Sequence, residues 1–351
     1  MKIVYACDDR YAMIAGISIA SLYEQHREVD DLSVYILICN VTNESIRKLS
    51  AVAERHGRCI HFMDTTLLMD AFLPDSPLRT GQWSAAAYAR LYAAELLPQI
   101  DKIMYLDCDV LISGSLLPLW EMDLSEYGCA AVTEPFSAMH KQNIGVKAED
   151  NYFNSGVMLI HLNHWRKVHA KERFFECIAR HNGRVPYVDQ GVLNEVFCGQ
   201  IVILPAKYNV FTEFYDFSYG EIERYRAARF AYSKEEIQKA KEEPAVIHFT
   251  GSFLTARPWC EGSGHPYAAK WLWYKDRSPW KDAPLWKNKR SFEKEALGWI
   301  FKRMPRLFGI EIARMANSMV RPLIDIGINW LLRQKTAVDR KQSMMERGAP
   351  S

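Results

Sequence analysis

In the run Met104-Tyr105-Leu106-Asp107-Cys108-Asp109-Val110-Leu111-Ile112, two carboxylates stand two residues apart inside an apolar stretch. Burying two unpaired carboxylates costs on the order of several kcal/mol each, so they need a counter-charge. In extended chain the side chains at i and i+2 point the same way, so both can meet one divalent cation. Oxygen ligands suit Mg²⁺ or Mn²⁺. The plainer alternative is a turn at a strand end with both Asp in water. A second element, Val246-Ile247-His248-Phe249-Thr250-Gly251, ends an apolar run on a histidine. That histidine is either a satisfied core residue or a third ligand that makes the site favour Mn²⁺ over Mg²⁺. Gly251 allows backbone to approach a phosphate closely. Arg257-Pro258-Trp259 follows, with a guanidinium suited to a diphosphate.

Three further segments mix polar groups into apolar surroundings. Phe153-Asn154-Ser155-Gly156-Val157 puts small polar residues before an apolar strand. In Val188-Asp189-Gln190-Gly191-Val192-Leu193-Asn194, Asp189 reads as a helix N-cap. The other reading is a helix start that presents Asp189 and Gln190 to a bound sugar. Ala87-Tyr88-Ala89-Arg90-Leu91 sets an Arg in an apolar helix, where it wants an anion or a carboxylate.

These residues need a frame that brings them together. Ile3–Cys7, Val34–Cys39, Ile60–Met63, Ile103–Leu106 and Ala130–Thr133 read as strands. Met13–Tyr23, a helix capped by Asn43 and ending near Gly57, and Trp83–Leu97, stopped by Pro98, alternate with them. This order argues for an α/β fold with a mostly parallel sheet flanked by helices. Ligands of such sheets sit beyond the carboxyl ends of the strands, where Asp8-Asp9 and Asp107-Cys108-Asp109 stand. Later come strands at Val157–Leu162, Ile201–Leu204 and Val246–Phe249, and helices at Trp165–His181 and Asp189–Cys198. Phe211–Tyr225, aromatic with acidic residues between, reads as an acceptor-side loop. Arg277–Lys289 reads as a linker. Ala296–Leu332 has amphipathic helical spacing, to be broken at Pro305 and Pro322.

The chain of 351 residues has a formal net charge of +2, which gives no whole-chain reason for a nucleic-acid partner. The charge is uneven. Lys287–Ser351 holds 14 Lys and Arg against 6 Asp and Glu, while residues 1–286 hold 30 against 36. A mildly acidic body with a basic tail fits an enzyme whose appendage seeks an anionic surface. The eight cysteines form no C-x-x-C pair, so zinc-ribbon and redox readings lack support. No run approaches the roughly 18 apolar residues of a spanning helix, and MKIVYACDD has no signal-peptide core. The expectation is a cytoplasmic chain with reduced thiols.

Together and in this order, the elements over roughly residues 1–275 resemble the retaining glycosyltransferases of family 8, which have a GT-A (Rossmann-like) fold. Among them the chain is similar to bacterial enzymes that add galactose or glucose to lipopolysaccharide or related glycans. The resemblance divides the chain into a catalytic domain at 1–276, a linker at 277–290 and a basic amphipathic helical tail at 291–351. It implies that the segment Ala6, Cys7 and Asp8 with Tyr11 binds the uracil, Tyr11 by stacking. It makes Asp107, Asp109 and His248 the ligands of Mn²⁺ or Mg²⁺, with Cys108 between them at the donor. Arg90, Asn154, Ser155, Asp189 and Gln190 surround the donor sugar, and Gly251 and Arg257 meet the diphosphate. Three departures stand out. The family pattern H-x-x-G-x-x-K-P-W is lengthened here and carries Arg257 for Lys. Gly191 stands where Asp is common, and Glu134 where Asp is common. Without a carboxylate at Gly191, front-face attack is expected, with Gln190 stabilising an oxocarbenium-like state and Asp189 holding a sugar hydroxyl.

The implied donors are UDP-glucose or UDP-galactose, and the implied acceptor is a glycan or lipid-linked saccharide. The tail is expected to rest on an anionic membrane surface, as a peripheral contact on the inner face, or else to pack on the body. Two other readings are a sugar nucleotidyltransferase and a non-catalytic UDP-sugar-binding protein. The first usually carries a Gly-rich basic loop where Cys7-Asp8-Asp9 stands, and the intact Asp107, Asp109, His248 and Gln190 argue against the second.

Overall fold

The computed structural model of the chain describes residues 1–70, 85–331 and 334. Ten strands are present among them: β1 (Lys2–Asp8), β2 (Ser33–Cys39), β3 (Ile60–Asp64), β4 (Lys102–Leu106), β5 (Val110–Ile112), β6 (Cys129–Thr133), β7 (Phe153–His161), β8 (Ile201–Ile203), β9 (Val210–Phe211) and β10 (Val246–His248). Seven form one sheet in the order β3-β2-β1-β4-β7-β6-β8, and β5-β10-β9 form a small second sheet. In the large sheet only β7 runs antiparallel to its neighbours. The sheet is therefore mixed but mostly parallel, with helices on both faces.

The central strands are apolar along most of their length because both faces are covered, and their polar residues, such as Asp8 and Asn154, stand at strand ends. Successive side chains serve opposite layers. Ile3, Tyr5 and Cys7 of β1 enter one core together with Met104 and Leu106 of β4 and Val157 and Leu159 of β7. Val4, Ala6, Ile103, Tyr105, Met158 and Ile160 enter the other. The first core is roofed by helices Ala12–Gln25 and Asn43–Glu54, the second by helices Leu162–Lys167, Ala170–Arg180 and Val188–Phe197.

Several local expectations are corrected. Thr42, not Asn43, caps its helix, its hydroxyl accepting from Ser45 N at 3.2 Å. The segment expected as a helix from Trp83 is a 3₁₀-helix over Ala85–Tyr92 followed by one α-turn over Ala93–Leu96; Trp83 itself lies outside the described residues. Trp165–His181 is two helices, broken where His169 takes a left-handed conformation with φ 51°. Phe211–Tyr225 is no open loop. It holds helix Thr212–Asp216 and the start of helix Tyr219–Arg226, the latter begun by a Ser218/Glu221 capping box. Phe211, Phe214, Phe217 and Tyr225 are core residues, so their hydrophobicity fills the interior.

The tail docks rather than dangles. In the segment expected as a linker, Trp280 is buried, and Trp286 meets Tyr11 edge-on with ring centroids 6.0 Å apart. Helices Phe292–Arg303 and Arg306–Met315 part at Pro305, as its missing N–H requires. Pro322 does not break the chain. A π-type turn over Ala316–Val320 absorbs it and the helix continues through 321–331; Leu332 lies outside the described residues. Ile310 and Ala313 are fully buried on the body, and Arg184 pairs with Asp325 at 2.8 Å. Among the described residues no helix is long and apolar enough to cross a membrane.

Candidate functional site

The carboxyl ends of β1, β4 and β6 open on one edge of the sheet, and β7, running the other way, begins there. A cavity of about 450 Å³ lies at this edge. The candidate site residues line it: Ala6, Cys7 and Asp8 at the end of β1 and Tyr11 just after it, Arg90, the Asp107–Asp109 turn, Asn154 and Ser155, Asp189 and Gln190, and His248, Gly251 and Arg257.

Asp107, Cys108 and Asp109 occupy the turn between β4 and β5 rather than extended chain. The strand-end turn and the carboxylate pair are thus the same object. β10 pairs antiparallel with β5 and sets His248 opposite Val110. His248 Nε2 consequently lies 3.2 Å from Asp109 Oδ1 and 3.8 Å from Asp107 Oδ2. A ligand atom from each of the three lies within 4.8 Å of the others. His248 Nδ1 is 2.9 Å from Asn209 Oδ1, and Asn209 Nδ2 donates to Asn154 Oδ1 at 2.9 Å. Since the Asn209 oxygen can only accept, Nδ1 carries a proton, and Nε2 is the nitrogen aimed at the two carboxylates, a ligand for a cation once it gives up its own proton. This donor set fits a divalent cation. Burial works against charge on Asp109, but His248 and Arg257 outweigh it and hold that carboxyl below its ordinary range. Gly156 is required by the same arrangement, because a Cβ there would stand 2.2 Å from His248 Cε1.

Arg90 organises the opposite wall and is almost fully buried. Its Nη2 donates to Asp107 Oδ1 at 2.6 Å and its Nη1 to the Ser155 carbonyl at 2.7 Å. Its Nε lies 3.0 Å from Asp189 Oδ2, and its guanidinium stacks over the Tyr105 ring at 3.7 Å. Asp189 is not an N-cap. Tyr187 holds that position, and Asp189 sits in the first turn with its carboxylate committed to Arg90. Burial pushes the Asp189 carboxyl up to about 6 against the pull of Arg90.

Gln190 is fixed from both ends. Its Oε1 accepts from Ser155 N at 3.0 Å, and its Nε2 donates to Glu134 Oε1 at 3.0 Å and Tyr152 Oη at 3.1 Å. Burial raises the Glu134 carboxyl above its ordinary range. Gly191 could carry no carboxylate, since a Cβ there would meet the Pro186 carbonyl at 2.1 Å. Tyr187 and Val188, just before, both adopt positive φ (59° and 56°). Each left-handed residue of this kind stores about 1–3 kcal/mol of strain. The Arg321 guanidinium, from the tail, lies over the Tyr187 ring at 5.1 Å.

At the end of β1, Asp8 Oδ1 accepts from Tyr11 N at 3.0 Å and so caps the turn that follows the strand. Cys108 donates its thiol proton to the Ala6 carbonyl at 3.2 Å. Despite the longer spacing, Arg257 returns to the site. Its Nη1 donates to Tyr11 Oη at 3.3 Å and its Nη2 is 3.5 Å from Asp109 Oδ2. Asn209, Tyr187 and Arg226 belong to the site but carry no local sequence signal. Arg226 forms a two-point ion pair with Glu213 at 2.6 and 2.9 Å. Among the described residues one other ligand-like group occurs, Cys177, His181 and Glu195, but there Arg180 already neutralises Glu195.

A sequence model described as Glycosyl transferase family 8 matches residues 2–262. The chain is 29% identical over 329 residues to a lipopolysaccharide 1,2-glucosyltransferase of Escherichia coli, covering 91% of this chain and 91% of that protein. It is 25% identical over 287 residues to general stress protein A of Bacillus subtilis, 80% of this chain and 94% of that one. Among solved structures it is similar to the galactosyltransferase LgtC in complex with donor and acceptor sugar analogs, with a TM-score of 0.65 at 25% identity over 84% of this chain and 99% of that one.

The hydrogen bond from His248 to Asn209 sets the ligand tautomer, so Asn209→Ala should weaken Mn²⁺ binding about ten- to a hundredfold while the protein stays folded. Calorimetric titration checks this, and an unchanged affinity would remove Asn209 from the site.

Proposed function

The chain belongs to glycosyltransferase family 8, and on that premise we propose that it is a retaining hexosyltransferase. It moves glucose or galactose from a UDP-sugar to a hydroxyl of a glycan or lipid-linked saccharide, in the synthesis of lipopolysaccharide or another cell-surface glycan. The observation that carries this reading is the meeting in one cavity of Asp107, Asp109 and His248 with Arg257 on one side and Asp189 and Gln190 on the other. The relatives named for glucosyl and galactosyl transfer support the hexose.

Asp107, Asp109 and His248 would hold Mn²⁺ or Mg²⁺, the nitrogen ligand favouring Mn²⁺. When bound, the cation supplies positive charge against the diphosphate. The end of β1, Ala6 to Asp8, with Tyr11 just beyond it, holds the uracil, and Gly251 and Arg257 hold the diphosphate. Asp189, steadied by Arg90, accepts a hydrogen bond from a donor-sugar hydroxyl. Asn154 acts one step back, through Asn209. The acceptor oxygen bonds to the anomeric carbon as the bond from that carbon to the β-phosphate oxygen breaks. The departing phosphate takes the acceptor's proton, and attack and departure share one face. The Gln190 amide oxygen, held by the Ser155 N–H at 3.0 Å and more loosely by its hydroxyl at 3.5 Å, would face the positive charge that develops at the sugar. Asp189 and Glu134 are each held by another group, and position 191 can bear no carboxylate. That combination supports front-face transfer over a covalent intermediate.

The tail supports a second part of the reading, a peripheral contact with an anionic lipid surface on the cytoplasmic side. Its outward face exposes Trp299, Leu307, Phe308, Leu323, Ile324 and Trp330, with Lys302, Arg303 and Arg314 close by in sequence. Apolar anchors beside basic residues suit the interface of an anionic bilayer.

With Mn²⁺ present, the purified protein should release UDP slowly from one of UDP-glucose, UDP-galactose and UDP-N-acetylglucosamine, and Asp109→Ala should lower that rate at least about a hundredfold. Release from none of them, with no UDP binding, would overturn the function. A covalent glycosyl-enzyme recovered by intact-protein mass spectrometry would overturn the front-face step. The protein should float with phosphatidylglycerol vesicles, and replacing the exposed Trp330 and Leu331 together by Ser should reduce this to the level seen with neutral vesicles. Flotation indifferent to both changes would refute the membrane contact.

A further inference from the structure

Two cations converge on Gly251 from different parts of the chain. A Cβ built on that glycine would lie 3.5 Å from Lys294 Nζ and 3.9 Å from Arg257 Nη2. Arg257 comes from the loop after β10. Lys294 comes from the tail, in the first turn of helix Phe292–Arg303, whose N-cap Ser291 accepts from its backbone N–H. The Lys294 side chain is half-buried, and no hydrogen bond or ion pair satisfies it among the described residues. Burial first, then the charges of Arg257 and Arg321, lower its pKa. Like charges brought together out of water are repulsive unless an anion joins them. Glu293 offsets this repulsion only in part, and Asp109, which faces Arg257, belongs to the candidate cation-binding group.

The tail helix is seated on the stretch that makes this chain unusual. Residues 252–256 lengthen the spacing between Gly251 and Arg257. Ser252 and Thr255 each donate their hydroxyl to Asp216, which folds the stretch into a platform. Arg290 clamps onto it, Nη1 donating to the Phe253 carbonyl at 2.7 Å and Nη2 to the Leu254 carbonyl at 3.1 Å. Gly298 then brings the helix backbone against the same carbonyl, since a Cβ there would stand 3.3 Å from Phe253 O. The longer loop and the helix that carries Lys294 are thus one packed unit.

We propose that Lys294 is a donor-binding residue: its ammonium joins Arg257 and the backbone at Gly251 in taking the diphosphate of the sugar nucleotide, which makes the first tail helix part of the donor site. This rests on the reading of the cavity as a sugar-nucleotide site. Arg257 offers a planar fork that is already shared with Tyr11 and the Phe249 carbonyl. Lys294 adds a compact point charge with three free donors, which suits a non-bridging phosphate oxygen.

The test is calorimetric titration of UDP and of uridine, both with Mn²⁺, into the full chain and into Lys294→Ala, Lys294→Arg and the exposed control Lys239→Ala. Loss of one charge-assisted phosphate contact should weaken UDP binding by about tenfold or more in Lys294→Ala. Uridine binding should not change, Lys294→Arg should recover most of the loss, and Lys239→Ala should behave as wild type. Equal UDP affinity in wild type and Lys294→Ala would overturn the role of Lys294 while leaving the donor site standing. An equal loss for UDP and uridine would mark a structural role and also overturn it. Wild-type protein that binds no UDP would overturn the donor site itself.

Discussion

The buried guanidinium of Arg90 ties the turn that carries Asp107 to the helix that carries Asp189. An arginine so far from water needs full neutralisation, and two carboxylates, a carbonyl and the face of Tyr105 supply it. Breaking such a buried pair by removing one partner costs about 3–5 kcal/mol, because the other charge is left stranded. The same contact orients both acids: Asp107 keeps its other oxygen turned toward His248, and Asp189 is fixed in the cavity wall beside Gln190. The 3₁₀-helix over Ala85–Tyr92, packed against β1 and β2, is what delivers the guanidinium to this point.

A second chain of contacts runs behind the cavity and makes the two halves of the site one object. His248 leans on Asn209, Asn209 on Asn154, and Gln190 on Glu134 and Ser155. Strain at Tyr187 and Val188 is held by packing from Phe136 and from Arg321 of the tail. The tail therefore has two faces with two tasks. Its inner face closes the core and bears on the site, and its outer face is left apolar and basic. Packing on the body and contact with a lipid surface are compatible consequences of one amphipathic pattern.

What was legible in the sequence was local. Most strands of the large sheet were readable as short apolar runs, though β7 starts four residues before its apolar run because Asn154, Ser155 and Gly156 interrupt it; the Asp107–Asp109 turn was readable because two carboxylates in such a run demand an explanation. The order of the motifs carried the family. Long-range relations were less visible. Nothing near Asn209 or Arg226 announces them, since their partners lie on other strands and helices. The N-cap role read for Asp189 failed because the helix begins one residue earlier, with Tyr187 at the cap in a left-handed conformation that its side-chain type does not announce. The helix at Trp165–His181 broke at His169, and Pro322 was absorbed by a π-type turn; both depend on packing that spacing alone does not encode. Gly191 looked like a lost carboxylate in sequence but is required sterically by the Pro186 carbonyl.

Arg90 couples the Asp107–Asp109 turn to the helix that carries Asp189 and Gln190, and Arg90→Lys probes that coupling. Lysine keeps the charge but replaces a rigid fork with a single point donor. The variant should stay folded by circular dichroism yet lose at least about tenfold in both Mn²⁺ affinity and UDP-sugar hydrolysis. A folded Arg90→Lys protein that keeps both, or loses only one, would contradict the coupling.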